Sequence, residues 1–273
     1  MTDIIQCGQI QIGSGMPLTL IAGPCVLEDY ETAFQTARTL KAITAELGMP
    51  FIFKASYDKA NRSAISSFRG PGLTDGLAML GRIKQDLDIP IISDVHLPQE
   101  IAPAAEVLDI LQVPAFLCRQ TDFIIQIAKT GKIINIKKGQ FLAPWDVSNV
   151  VDKAAAAGND RLLITERGSV FGYNNLVVDF RGIPIMRAQT KKPVIFDATH
   201  SVQLPGGSGT SSGGQREFAP VLARAAVAAG ADGIFMEVHP DPDRALCDGP
   251  NSLHLDRVAD VLSTLMAIRE AIQ

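Results

Sequence analysis

Aromatic side chains are scarce in this chain: Phe, Trp and Tyr together make up 6% of its 273 residues, and there is one Trp. The apolar fraction, 47%, is carried mainly by Ala, Ile, Leu and Val, as expected where strands are covered by helices. Positive charge is not in excess. Lys and Arg number 25 against 29 Asp and Glu, a formal net charge of -4. That argues against nucleic acid as the main partner, because a phosphate backbone wants a basic face. It does not exclude small phosphorylated molecules, since a basic pocket can sit in an acidic surface. Cysteine is sparse and scattered. Cys7, Cys25, Cys118 and Cys247 form no CxxC pair, so neither a zinc finger nor a disulfide framework is indicated. No apolar run reaches the ~18 residues of a membrane span. The opening MTDIIQCGQI lacks the basic start and long apolar run of a secretory signal. These absences lead to the expectation of a soluble, cytoplasmic protein with reduced thiols and no membrane partner.

What is present is an alternation of two periodicities. Short β-branched or apolar runs bounded by turn residues predict strands at Leu18–Ala22, Phe51–Ala55, Ile89–Asp94, Val107–Gln112, Ile133–Lys137, Leu162–Thr165, Val194–Asp197 and Gly233–Glu237. A short pair, Ile4–Gln6 and Gln9–Ile12, precedes them as a hairpin. Between the strands lie helical patterns such as ETAFQTARTLKAITAEL, which ends at Gly48, and LTDGLAMLGRIKQDL, for which Thr74 is a plausible cap. Gly158 and Gly230 stand where helices should end. Eight β–α pairs in one chain predict a single-domain (β/α)8 TIM barrel over residues 1–273, with a doubly wound sheet as the other fold that fits. The low-complexity run Leu204–Gln215 follows the seventh strand and is expected to be a mobile loop, either a lid over the C-terminal face or a plain connection.

The polar chemistry is unevenly placed. Nearly every predicted strand ends in reactive residues: GPC, KASYDKANRS, SDVH, QVPAFLCRQ, KKGQ, TERG, DATH and EVHPDPD, in strand order. Strand starts show no such polarity. Core packing gives no reason for this asymmetry, whereas catalytic residues converging on one barrel mouth do. Lys54, Lys59, Arg62, Arg119, Lys137, Lys138 and Arg167 are the cations at these ends. Any one of them alone is as well read as a solvated charge. Together they predict a pocket for phosphates and carboxylates. Cys25, His200, Glu237 and Asp248 lie on the first, seventh and eighth strands and the loop that follows, which are neighbours in a closed barrel. A thiolate, an imidazole and two carboxylates suit a divalent transition metal of the Zn, Fe, Mn or Co class better than magnesium. Each also has a bland reading as a core thiol, a satisfied histidine, a cap or an ion-pair partner. His96 and His239 stay unassigned, Cys7 and Cys118 show no partner, and Trp145 is expected to pack at a helix start.

The motifs GPC, FKASYDKANRS, RGPG, SDVH, QVPAFLCRQT, NIKKGQF, TERG, FGYNNLVVDFR, DATHSVQ, HPDPD and CDGPN follow one another over almost the whole chain. In this order they resemble the 3-deoxy-D-manno-octulosonate 8-phosphate synthases. Those enzymes are (β/α)8 barrels, usually homotetramers. They join phosphoenolpyruvate to D-arabinose 5-phosphate in making the sugar acid of lipopolysaccharide. The related 3-deoxy-D-arabino-heptulosonate 7-phosphate synthases typically have KPRTS where this chain has KANRS. The resemblance implies Lys54, Ser56, Lys59 and Gln140 at the carboxylate of phosphoenolpyruvate. It implies Lys137, Arg167, Gln112 and the amide of Ala115 at its phosphate, and Asn61 and Asp94 at the sugar hydroxyls. Arg62 and Ser63 would hold the sugar phosphate with Arg119 of a neighbouring subunit. His200, Lys54 and Asp248 would be catalytic, and Cys25, His200, Glu237 and Asp248 would ligate metal. The first motif matches the metal-dependent branch, while CDGPN looks like the metal-independent one. The heptulosonate-phosphate synthase and a non-catalytic sugar-phosphate-binding barrel stay open as other readings.

Overall fold

The computed structural model describes residues 2–62, 64–206 and 213–272. Ser63 and the centre of the Gly-rich run, 207–212, lie outside the described residues. Eight parallel strands close on themselves: β1 (Thr19–Gly23), β2 (Phe51–Lys54), β3 (Ile91–Asp94), β4 (Ile110–Val113), β5 (Ile133–Lys137), β6 (Leu162–Glu166), β7 (Val194–Asp197) and β8 (Gly233–His239). Each pairs with the next, and β8 pairs with both β7 and β1. The helices that follow them are α1 (Tyr30–Glu46), α2 (Leu73–Leu87), α3 (Ile101–Val107), α4 (Thr121–Ala128), α5 (Ser148–Ala156), α6 (Gly182–Thr190), α7 (Ala219–Ala228) and α8 (Val258–Ala271). This is the predicted (β/α)8 barrel; the doubly wound sheet is excluded by closure. No helix of the described chain is long and apolar enough to cross a membrane.

Local chemistry accounts for most boundaries. Asp29 caps α1 by accepting from the Thr32 backbone N–H at 2.8 Å. Gly48, Gly158 and Gly230 follow α1, α5 and α7 with φ of 62, 88 and 90°, the left-handed exit that glycine takes without strain. Thr74 is not the cap of α2. The helix begins one residue earlier, after Gly72 at φ 84°, and carries no side-chain cap. Val107, expected to open a strand, is instead the last residue of α3.

The period-2 alternation of strands sorts the barrel interior into layers. Ile21, Ile52, Ile92, Ile110, Ile133, Leu163, Ile195 and Phe235, one from each strand, form an apolar layer. The N-terminal hairpin, Ile5–Cys7 with Ile10–Ile12, packs Ile5, Cys7 and Ile12 against that layer and seals it from below. Burial pushes the Cys7 thiol up to about 12, which leaves it an apolar plug. Two residues further along each strand the same inward face carries Gly23, Lys54, Asp94, Gln112, Asn135, Thr165, Asp197 and Glu237. The floor is therefore hydrocarbon and the next tier is polar. Outward residues such as Leu20, Phe53, Leu111, Ile134, Ile164, Phe196 and Met236 join the larger core under the helices. Gly23 contributes no side chain to the polar tier because none fits: a Cβ there would stand 2.0 Å from the Lys54 carbonyl oxygen.

Candidate active site

The polar tier opens into a cavity at the C-terminal ends of the strands. Of the residues singled out in the sequence, Lys54, Lys59, Asn61, Arg62, Asp94, Gln112, Ala115, Lys137, Gln140, Arg167, His200 and Asp248 line it. Cys25 and Glu237 are buried in its wall. Ser56 is buried beside Cys25, off the cavity surface, with an unpartnered hydroxyl. Arg119 is exposed and does not line the cavity of its own chain. Lys138 is not a mouth cation. It points away from Lys137, and its ammonium faces the carbonyls of Gly139, Leu142 and Gly168 at 3.3–3.4 Å and Glu166 at 3.5 Å. It ties the loops after β5 and β6 together. Trp145 does not pack as expected: it stands 57% exposed before α5. His96 backs the cavity wall, with Nε2 3.0 Å from the Asp58 carbonyl, and His239 accepts from the Asp241 amide through Nδ1.

Each buried cation lining the cavity has a carboxylate partner, with one exception. Lys54 donates to Glu237 Oε1 at 2.7 Å and to the Cys25 carbonyl at 3.0 Å. Lys59 lies 3.4 Å from the same Glu237 oxygen and 4.0 Å from Asp94. Lys137 donates to Asp197 Oδ2 and sits 3.2 Å from the centre of the Phe235 ring. Arg167 is the exception. Its guanidinium is buried, Nη2 donates to Gln203 Oε1 at 3.2 Å, Nη1 is unpartnered, and it has no carboxylate within 4.0 Å among the described residues. Burial lowers its pKa. A buried cation with a donor to spare, beside Lys137, is a place for an anion.

Burial also pushes the Lys137 ammonium down to about 8, and the adjacent Asp197 only partly offsets this. The charged form is the one that holds an anion, and it is lost as pH rises. kcat/KM for an anionic substrate should therefore fall as pH climbs through about 8. The limb should move to higher pH in Lys137→Arg. A wild-type profile with no such limb would detach Lys137 from anion binding.

Two hydrogen-bond chains fix the site. Thr165 donates to Asn135 at 2.6 Å, Asn135 to Gln112 at 2.9 Å, and Gln112 to Asp94 at 2.8 Å, which sets the Gln112 amide orientation. Asp197 accepts from His200 Nδ1 at 2.8 Å as well as from Lys137, so Nε2 of His200 points to Glu237 Oε2 at 3.5 Å and Asp248 Oδ2 at 3.7 Å. Asn135, Asp197, Gln203 and Cys247 are site residues that the sequence reasoning did not single out. Asp197 and Gln203 lie within the DATHSVQ motif, three residues before and three after His200. Asn135 lies two residues before Lys137, on the same inward face.

The donors suit a divalent transition metal. Two groups could hold one: His200, Glu237 and Asp248, and Cys25, Cys247 and Asp248, each with its ligand atoms within 4.8 Å of one another. The four residues singled out thus gather around Asp248 as two sets rather than one. Glu237 Oε2 is buried with no hydrogen-bond partner, and a buried carboxylate oxygen asks for a cation. Burial works against charge on His200, yet Asp197 and Glu237 outweigh it and bring the imidazole up to about 9. The same negative field favours a metal ion, which would compete with that proton. Burial, then the neighbouring Cys247, raises the Cys25 thiol, so binding there would release a proton. A carboxylate orienting a histidine toward its metal, as Asp197 orients His200, is the usual outer-shell arrangement.

Comparison with known proteins agrees with this geometry. Residues 2–273 match the model of the DAHP synthetase I family. The chain is 69% identical over 271 residues to the 2-dehydro-3-deoxyphosphooctonate aldolase of Desulfosudis oleivorans, covering 99% of this chain and 97% of that protein. It is 59% identical over 268 residues to proteins of the same name from Trichlorobacter lovleyi and Geobacter sp. strain M21, covering 98% of both partners in each case.

Proposed function

The chain belongs to the DAHP synthetase I family, and from that premise we propose that it condenses phosphoenolpyruvate with D-arabinose 5-phosphate and water to give 3-deoxy-D-manno-octulosonate 8-phosphate and inorganic phosphate. The carbon count separates this from the heptulosonate reaction. The relatives are named for an octonate, eight carbons, which is three from phosphoenolpyruvate plus five from a pentose. A heptulosonate needs a four-carbon aldose. The observation that carries the reading is the convergence of Lys54, Lys59, Lys137 and Arg167, from three separate strand ends, on one cavity that also holds the Cys/His/acid set.

In the reaction, the methylene carbon of phosphoenolpyruvate bonds to the aldehyde carbon of the pentose, whose oxygen takes up a proton. Water adds to the adjacent carbon, and phosphate leaves from it. Positive charge develops at that carbon between two anionic substrates. Lys137 and Arg167, with the Ala115 amide and Gln112, hold the phosphate of phosphoenolpyruvate. Lys54, Lys59, Gln140 and Ser56 serve its carboxylate end. Of these, Lys54, Lys59 and Gln140 line the cavity and carry the N–H donors that a carboxylate accepts from. Asn61 and Asp94 meet the sugar hydroxyls. Burial opposes ionisation of Asp94, but Lys59 and Lys54 hold its pKa at about 2, so it is an acceptor. Arg62 and Ser63 take the sugar phosphate, and Arg119, exposed on its own chain, reaches it from a second copy in a homotetramer. The exposed Phe116, Phe141, Trp145, Phe171 and Tyr173 support such an assembly. His200, with Lys54 and Asp248, serves near the reacting carbons. These groups act by orienting two like-charged reactants and by preorganised electrostatics. A divalent metal held by Cys25, His200, Glu237 and Asp248 would supply a Lewis acid for the aldehyde or for a water. Phosphoenolpyruvate is a metabolite of the cytoplasm, and the reading puts the protein there.

Phosphate release from phosphoenolpyruvate should require the pentose phosphate and be slower with erythrose 4-phosphate. Preference for the four-carbon aldose, or release that ignores the acceptor, overturns the reading. Arg62→Ala should raise KM for arabinose 5-phosphate by about tenfold or more, as loss of a charge-assisted contact of ~1.5–3 kcal/mol demands, and leave KM for phosphoenolpyruvate within about twofold. Equal losses for both substrates would remove Arg62 from the sugar phosphate.

A further inference from the structure

A second thiol stands at the candidate metal centre, and the function proposed above gives it no task. Cys247 lines the cavity, and its Sγ lies 3.0 Å from that of Cys25. Both residues are buried. Consecutive side chains usually diverge, but Asp248 takes a left-handed φ of 48°, and this turns Cys247 and Asp248 toward one point. The turn is held by the amides of Asn251 and Ser252, which donate to the Asp248 carbonyl at 3.0 and 3.1 Å. Gly249 lets it pass close to Pro242, whose carbonyl oxygen would be 2.3 Å from a Cβ. Arg62 Nη1 donates to the Cys247 sulfur at 2.7 Å, so this sulfur faces polar groups and serves as an acceptor. Cys25, Cys247 and Asp248 thus make a compact two-sulfur, one-oxygen set that shares Asp248 with His200 and Glu237.

We propose that Cys247 is a second thiolate ligand, so that the metal ion beside Asp248 is held by two sulfurs. The proposal rests on the metal reading above. Zn–S bonds of about 2.3 Å place two sulfurs of a tetrahedral site roughly 3.8 Å apart. The pair needs to open by less than about 1 Å from its 3.0 Å separation to reach that geometry. Two thiolates bias the site toward zinc and its thiophilic neighbours and away from manganese, which prefers oxygen. Arg62 remains the hydrogen-bond donor to one of these sulfurs, linking the metal to the cation assigned to the sugar phosphate.

X-ray absorption of the reduced, zinc-loaded full chain tests this without any variant. Two sulfur scatterers at about 2.3 Å are expected; one overturns the proposal. In parallel, Cys247→Ser should weaken zinc binding, read by chelator competition, by about tenfold or more, and manganese binding by less than about threefold. Unchanged zinc affinity, or equal losses for both ions, also overturns it. Zinc bound through Cys25 alone refutes the second thiolate and leaves the metal reading standing. A chain that binds no zinc refutes both.

Discussion

Exchanging Lys54 for methionine should lower kcat by about a hundredfold to a thousandfold, the range seen when one preorganised charge-stabilising donor is removed, and should lower thermal stability as well. Lys54 and Glu237 are both fully buried and paired at 2.7 Å. Removing one member of such a pair typically costs about 3–5 kcal/mol, because the other is left as an uncompensated charge. Lys59, 3.4 Å from the same oxygen, remains and places the loss at the lower end of that range. Methionine keeps the apolar stem and is one atom shorter, so little cavity is left to confuse the result. Thermal melts and steady-state rates on the same preparation separate the two effects. A variant that melts early yet turns over normally would make Lys54 a structural ion-pair partner, with no part in the chemistry.

Replacing Cys25 with alanine should weaken divalent-metal binding by more than the 10–100-fold typical of losing an outer-shell partner, so that little metal survives dialysis. The thiol is buried, 3.6 Å from Asp248 Oδ2 and 3.0 Å from Cys247. Its pKa, raised by burial and then by Cys247, makes binding proton-coupled. Metal retention in wild type should therefore improve with rising pH, and the variant should lose the part of that dependence owed to Cys25 while keeping the part owed to His200. Elemental analysis after gel filtration at two pH values measures both. Unchanged metal content in the variant would remove Cys25 from the ligand set.

The barrel was legible because each strand carries its own punctuation, and all eight predicted strands overlap the observed ones. The gathering of chemistry at one mouth was legible too, since polar residues occupy strand ends and not strand starts. Lys138 shows where that rule was applied too loosely. In Ile133–Lys137 the inward positions are 133, 135 and 137, so residue 138 must turn away, and the same alternation picks out Asn135. Arg119 follows the turn Ala115–Leu117, after which strand direction no longer says where a side chain points. Cys247 was out of reach for a different reason. Its aim depends on the left-handed backbone of Asp248 in an irregular loop, and no hydrophobic period reports that. Asp197 was missed because its partners, Lys137 and His200, meet only once β5 and β7 are brought together around β6.

The plugged floor has a kinetic consequence. With hydrocarbon and the N-terminal hairpin beneath, the cavity is closed at its floor among the described residues and opens toward the C-terminal ends of the strands. Lys137 and Arg167 sit far inside, almost wholly buried, whereas the Arg62 side chain near the entrance is 18% exposed. A guest lodged at the entrance blocks the corridor to the interior. With the substrates assigned as proposed above, the three-carbon reactant is expected to arrive first, and an excess of the pentose should jam the empty enzyme.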